Sequence, residues 1–445
     1  MNPTRPSFPL LALCASLLSL APAVHAQSLL PLTELARSYD ASWQSSKAQF
    51  DAASSRADQA RAGLLPSAGL SAGASTAHTN IHTVQHAHLT TPSQNVTLSA
   101  SQPLYRPANR IAYQQGQRGI DVAQAQLDNA TQDLLVRVSQ AYFDVLAAQD
   151  TLTFVRAQKA AVSEQLAAAQ RNFEVGTATI TDTREAQAGH DLVVAREIAA
   201  ENDLHVKRLA LDQLVGQVGT QPRPLALPVQ IPAVVPADVN AWVDRSQDDQ
   251  PLVRQAVIAL DIAKLETEKA RTGHLPTVDL QAGYAVNRTP NGSVTVPGVN
   301  MRTNSASVGV ALNLPLFAGF AVQNRIKETL ALEEKARADL EATRRTLAQN
   351  TRSAFYGVQS GQSQLKALEA AELSSQSALE ANQLGYKVGV RINIDVLNAQ
   401  SQLYQTKRDL AAARYNVLLG TLRLRQAAGT LNLDDIAAID ALLVK

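Results

Sequence analysis

The chain has a single cysteine, Cys14, and none after it. From residue 15 onward, disulfides and thiolate metal sites are excluded. Aromatic residues are scarce, at 4%. That scarcity argues against a compact core of large rings and suits long helices in close lateral contact, as does the Ala- and Gln-rich sequence. Charge of one sign is missing too: 40 Lys and Arg stand against 39 Asp and Glu. With no basic run and no basic–aromatic stripe, no nucleic-acid partner is expected. Past the first 26 residues there is no run of ~18 uncharged apolar residues, so no helix is expected to span a bilayer. Enzyme signatures are absent: no phosphate-binding loop, no Gly-x-Ser-x-Gly, no His-Glu-x-x-His. Asp434-Asp435 reads as a helix start, not a catalytic pair. No cofactor and no enzymatic activity are expected.

Residues 1–26 have the pattern of a secretory signal. Arg5 supplies the positive start, Phe8 to Ala21 the apolar stretch, and Val24-His25-Ala26 the residues before a cut at Gln27. The apolar stretch is too short for a membrane anchor. A lipidated N-terminus at Cys14 is the alternative; the bulky Leu13 before it argues against that reading. An exported chain without a spanning helix is periplasmic, secreted or an outer-membrane β-barrel.

What is present is a duplication. "FEVGTATITDTREAQ" from Phe173 and "YKVGVRINIDVLNAQ" from Tyr386 share one pattern at an offset of 213. "AYFDVL" at Ala141 faces "AFYGVQ" at Ala354, and "LDQLVG" ending at Gly216 faces "LRQAAG" ending at Gly429, at the same offset. Upstream, "QPLY" faces "LPLF" at 212 and "LLPSAGLSAG" faces "HLPTVDLQAG" at 210. A register held so long marks an internal repeat. The expected units are 27–216 and 249–429, joined by a connector over 217–248 and closed by 430–445. The connector has Pro at 222, 224, 228, 232 and 236, which excludes regular helix or central strand over Gln217 to Pro236.

Each half reads helix, Pro, two alternating stretches, a very long helix, the repeated motif and a last helix. The first helices are expected over Leu32 to Ala62 and about Gln250 to Thr272. "SVGVALNLPLF" places Val308, Val310, Leu312 and Leu314 on one face, with Ser307, Gly309, Ala311 and Asn313 on the other. "VDLQAGYAVN" does the same, and "NVTLSASQPL" and "SAGLSAGAS" are weaker versions. This is strand periodicity, fitting hairpins on a soluble core or a barrel with an apolar outside, and lengths of ~9–11 residues suit a bilayer crossing. Pro107 to about Val175 and Ala318 to about Val388 read as helices about 100 Å long at ~1.5 Å per residue. Leu127, Leu134, Val138, Ala141, Val145 and Ala148 recur at coiled-coil spacings. The helices alone fit an exported coiled-coil structural or adaptor protein without a pore. The strands favour a duct. Four cannot close a barrel and an open edge in lipid is costly, so several chains must pool their strands.

The residues "RNFEVGTATITD", "AYFDVL", "GHLPTVDLQAGY", "LPLFAG", "GYKVGVRINIDVLNAQ", "ARYNVLLG" and "GTLNLDD" resemble the TolC-type outer-membrane efflux and secretion channels, over about Leu32 to Leu433. The resemblance implies a mainly α fold with a small β portion. Three chains would form a twelve-stranded barrel in outer-membrane lipid above a periplasmic helical tunnel. It implies an exit duct for efflux or type I protein secretion, working with a periplasmic adaptor and an inner-membrane ABC or proton-driven exporter.

The resemblance also places Val175, Gly176, Val388 and Gly389 at the periplasmic tip, where an adaptor would grip. Thr181 and Asp182 in the first turn and Tyr386 and Arg391 in the second are expected to hold the tip shut, with Arg391 able to donate a forked pair of bonds to Asp182. The other reading of these residues is ordinary solvated helix-end charge. Asp395 is expected to ring the narrowest entrance. The second acidic position of the family is Asn398 here, which halves the ring's charge and should weaken block by trivalent cations. His78, His82, His86 and His88 are expected on an extracellular loop, as a metal site or simply a polar loop.

Overall fold

The structure, a computed structural model, describes residues 27–82, 87–229, 231–293, 296 and 298–444. The signal reading of residues 1–26, with Cys14, lies outside the described residues, as does His86. Nine α-helices and four strands are described: α1 Leu29–Tyr39, α2 Ala41–Ala62, β1 Ser67–Ile81, β2 Ala87–Tyr105, α3 Pro107–Glu174, α4 Ile180–Val215, α5 Val239–Asp248, α6 Pro251–Arg271, β3 Thr277–Thr289, β4 Met301–Asn313, α7 Ala321–Lys387, α8 Asn393–Ala427 and α9 Leu433–Asp440. This is the mainly α fold with four strands that the sequence implied.

Two local differences have plain causes. The first helix is split at Asp40, which closes α1 and caps α2 by accepting from the Trp43 N–H at 2.7 Å. Arg137 holds that carboxylate from α3 with two bonds, of 2.9 and 3.1 Å. α5 and α6 are interrupted in the same way, with Gln250 as the cap. The strands run 15, 19, 13 and 13 residues, longer than the expected ~9–11.

The strands form one antiparallel sheet in the order β1-β2-β3-β4. Its register assigns the faces. Leu70 pairs with Leu98, Leu98 with Tyr284, and Leu280 with Val310, so the even-numbered residues form one apolar face. Val308, Val310 and Leu312 are 79%, 64% and 68% exposed there. The odd-numbered face is mostly small or polar: Ser71 pairs with Thr97, and Gly283 with Ser307. At the sheet's base Asp279 breaks that neutrality. Its nearly buried carboxylate receives the Arg106 guanidinium in a fork of 2.7 and 2.6 Å, tying β3 to the start of α3.

Next to the sheet the helices lie in the order α2, α3, α6, α7; toward the far end the order is α4, α3, α8, α7. The main core sits midway along the molecule. There Tyr142, Phe143 and Tyr415 pack together with Leu134, Val138 and Val145 of the predicted α3 stripe. The connector wraps this belt. The Tyr142 hydroxyl donates to the carbonyl of Arg223 at 2.9 Å, and Leu225 bridges to Leu443. Tyr415 donates to Asp150 at 2.7 Å, joining α8 to α3, and burial pushes the Asp150 carboxyl up.

Candidate functional site: the paired tip turns

At the end remote from the sheet, α3 turns into α4 and α7 into α8. Both long helices end in the same motif. Gly176 and Gly389 have φ of 78° and 81°, the left-handed region that a side chain disfavours. Gly176 N–H bonds back to Phe173 and Thr177 N–H to Asn172; Gly389 and Val390 repeat this on Tyr386 and Gly385. These paired bonds satisfy the last helical carbonyls. Val175 and Val388 stand at the apex, 72% and 66% exposed.

The returning helices begin differently. Thr179 caps α4 in a reciprocal box: its Oγ1 accepts from the Asp182 N–H, and the Asp182 carboxylate accepts from the Thr179 N–H at 2.9 Å and its hydroxyl at 2.7 Å. Thr181 is exposed on the first turn of α4. At the start of α8 the cap position is Ile392, whose side chain can accept nothing. Asp395 therefore carries no capping bond. It is half-exposed, and its nearest cation is Arg391 at 3.7 Å. Asn398 lies exposed one turn on.

Within the chain Arg391 does not take the forked bond to Asp182 anticipated from sequence. The Asp182 carboxylate takes its own cap on Oδ2, and Arg391 lies along α8 toward Asp395. Gly385 makes that path possible, because a Cβ there would sit 2.7 Å from Arg391 Cγ. Tyr386 accepts from Asn172 Nδ2 at 3.3 Å, joining the second turn to the first.

Sequence reasoning missed the strongest link. Asn393, fully buried at the start of α8, donates from Nδ2 to the Asp182 carbonyl at 3.1 Å and accepts from Gln165 Nε2 of α3. One amide thus ties α8 to both helices of the other pair. The available signal was an amide where the first repeat has Ile180. Between the turns lies a polar cleft of about 870 Å3, lined by Asn172, Thr177, Asp182, Tyr386, Arg391 and Asn393. What it offers is a set of links between two helical hairpins.

Two of the four histidines fall in strands and not in the expected loop. His78 lies in β1 and His88 in β2, with Nδ1 atoms bonded to Thr90 at 2.9 Å and Asn80 at 2.7 Å across the strand pair. His82 follows β1. Among the described residues, no group of three His, Cys, Asp or Glu is gathered for a metal.

A duplicated chain whose four-stranded sheet has one apolar face, carried on helices of 68 and 67 residues, is a membrane-sheet protein with a long helical extension. The outer membrane efflux protein family profile matches residues 32–217 and 242–430. The sequence is 33% identical to outer membrane protein TolC of Vibrio cholerae over 427 residues, 96% of each chain. It is 32% identical to alkaline protease secretion protein AprF of Pseudomonas aeruginosa over 348 residues, 78% of this chain and 71% of that one. The fold matches the CmeC outer membrane channel of Campylobacter jejuni with a TM-score of 0.79 at 15% identity, covering 93% of this chain and 89% of that one. The chain belongs to the outer membrane efflux protein family: it is an outer-membrane exit duct with its sheet at the membrane and its helices in the periplasm.

Proposed function

We propose that three copies close into one tunnel that exports substrate without chemistry of its own. The arrangement of edges carries this reading. At every level one side of the chain ends in a first-half element, β1, α2 or α4, and the other ends in the second-half β4 or α7. Rotation about an axis sets the second-half edge of one copy against the first-half edge of the next. Such head-to-tail contacts close into a ring. In lipid, closure also satisfies the edges of β1 and β4, whose unpaired backbone groups would cost several kcal/mol each. Two copies give an eight-stranded barrel that fills with its own side chains; three give the smallest open one. Leu192, Ile198, Val206 and Leu209 on α4, all more than half exposed, are the apolar contact for α7 of the neighbour. The repeat units are then 27–216 and 249–429, with α5 at the end of the 217–248 connector leading into α6.

The six tip turns of such an assembly form its periplasmic mouth. Val175, Gly176, Val388 and Gly389 offer a repeated surface to an adaptor. Asn393 and the Asn172–Tyr386 bond hold each hairpin pair together. Thr181, Asp182 and Arg391 are left to meet across copies, and Asp395 rings the opening beside neutral Asn398. An inner-membrane exporter supplies energy through the adaptor, which opens the tip by binding the open form better. The family's description as efflux proteins and the name of one relative, a protease secretion protein, support both efflux and protein export.

Purified protein in planar bilayers is the test. Arg391→Ser and Tyr386→Phe should each raise single-channel conductance, and Asp395→Ala should abolish cation block. Unchanged conductance in both gate variants would remove the gate assignment. Detergent-extracted protein that runs as a monomer, with Val308 and Leu312 labelled by aqueous probes, would remove the duct.

A further inference from the structure

The apolar face of the sheet stops abruptly at its distal end, away from the helices. Its last rows are Tyr284 with Ala306 and Val286 with Asn304; the next is Arg288 directly opposite Arg302. Like charges facing each other across an antiparallel pair repel. Gln94 of β2 completes the row. Neither arginine has an ion pair among the described residues, and both are exposed. The sequence has no Asp or Glu from Ser67 to Tyr105, and none from Leu280 to Asn313. A second copy's β1 set against β4 therefore brings no carboxylate either. The imbalance is local, since the whole chain is almost neutral. It is also confined to one face: the odd-numbered row alongside is Asn95, Asn287 and Thr303, all uncharged. Further out on the arginine face lie His78, Asn80 and His88 with their cross-strand bonds.

We propose that Arg288 and Arg302 form a docking surface for the phosphate groups of a phosphorylated glycolipid in the outer leaflet. Two guanidinium forks in one row match phosphate oxygens, and a bound phosphate removes the cross-strand repulsion. The position selects the source. The pair sits on the face whose other rows meet lipid tails, one row beyond them, where headgroups lie. This rests on the barrel reading of the sheet.

The probe is bis-phosphorylated lipid A in non-ionic micelles, titrated onto the detergent-solubilised full chain. Arg288→Gln with Arg302→Gln should weaken binding by about tenfold or more, since hydrogen bonds to charged groups are lost. Dephosphorylated lipid A should bind the unaltered protein as weakly as phosphorylated lipid binds the variant. That arm needs no substitution, so a misfolding variant cannot obscure the answer. Arg288→Lys with Arg302→Lys should retain more binding than the Gln pair. Equal binding of the two lipids, or unchanged affinity in the Gln pair, would overturn the proposal. So would inorganic phosphate binding as tightly as lipid A at matched ionic strength, which would mark a free-anion site. A probe at Val308 separates the levels: lipid contact there without phosphate preference sinks only this inference, whereas water contact sinks the barrel.

Discussion

The two tip turns descend from one sequence and have diverged in opposite directions. Asp182 and Asp395 are the same position 213 residues apart, each third in its returning helix. In the first turn Thr179 locks that aspartate into a cap. In the second, Ile392 replaces Thr179 and Arg391 replaces Ala178, so the carboxylate is released from local duty and faces a cation across 3.7 Å. Asn172 of the first turn has become Gly385 in the second, and Phe173 has become Tyr386, whose hydroxyl Asn172 then meets. Divergence at neighbouring positions of the repeat has made partners: Asn172, which is glycine in the second copy, now bonds Tyr386, which is phenylalanine in the first. The first turn is built to stay folded; the second leaves the charges of Arg391 and Asp395 outside any cap and able to contact something else.

Breaking the shared amide should have the largest effect. Asn393→Ala leaves the Gln165 amide and the Asp182 carbonyl without their partner in a buried site, which costs about 1–3 kcal/mol. Hydrogen exchange across residues 172–182 and 385–395 should quicken together, by one to two orders of magnitude; acceleration confined to the second turn would mean the link is not shared. Next comes the feature the turns hold in common. Gly176→Ala and Gly389→Ala should each cost about 1 kcal/mol through the left-handed backbone, and their effects on local exchange should match.

Exchanging the caps sharpens the contrast. Thr179→Ile should loosen the start of α4 by about 1 kcal/mol. Ile392→Thr should give α8 a cap that draws on the Asp395 carboxylate, tightening local exchange while weakening cation block of the channel. The smallest effect is expected from the exposed pair itself. Arg391→Ser should change local stability by only about 0.2–0.5 kcal/mol, yet still raise conductance, because its proposed role is played between copies. A large loss of tip protection in that variant would contradict the division drawn here.

Much of this was legible in advance. The period of two in "SVGVALNLPLF" and "VDLQAGYAVN" gave the strands and their faces, because side chains alternate whatever the strand's neighbours are. The Val-Gly repeat marked both turns, because a helix that must reverse needs a residue tolerant of positive φ. His78 and His88 were misplaced because their Thr- and Asn-rich surroundings read as loop; cross-strand bonds to Thr90 and Asn80 keep them in a long hairpin. Asn393 was missed because one polar residue at a helix start resembles an ordinary cap.

The sequence by itself determined the duplication, the succession of elements, the apolar face of the sheet and the places where the helices turn back. Each follows from local periodicity or a local backbone requirement. Only the tertiary structure decided that Asp182 is held by its own helix, that Arg391 lies along α8, and that Asn393 joins three helices. It also decided that every layer ends with a first-half element on one side and a second-half element on the other. These depend on which side chains meet across hundreds of residues, and a polar group's partner is set by the distance and direction of its neighbours in space.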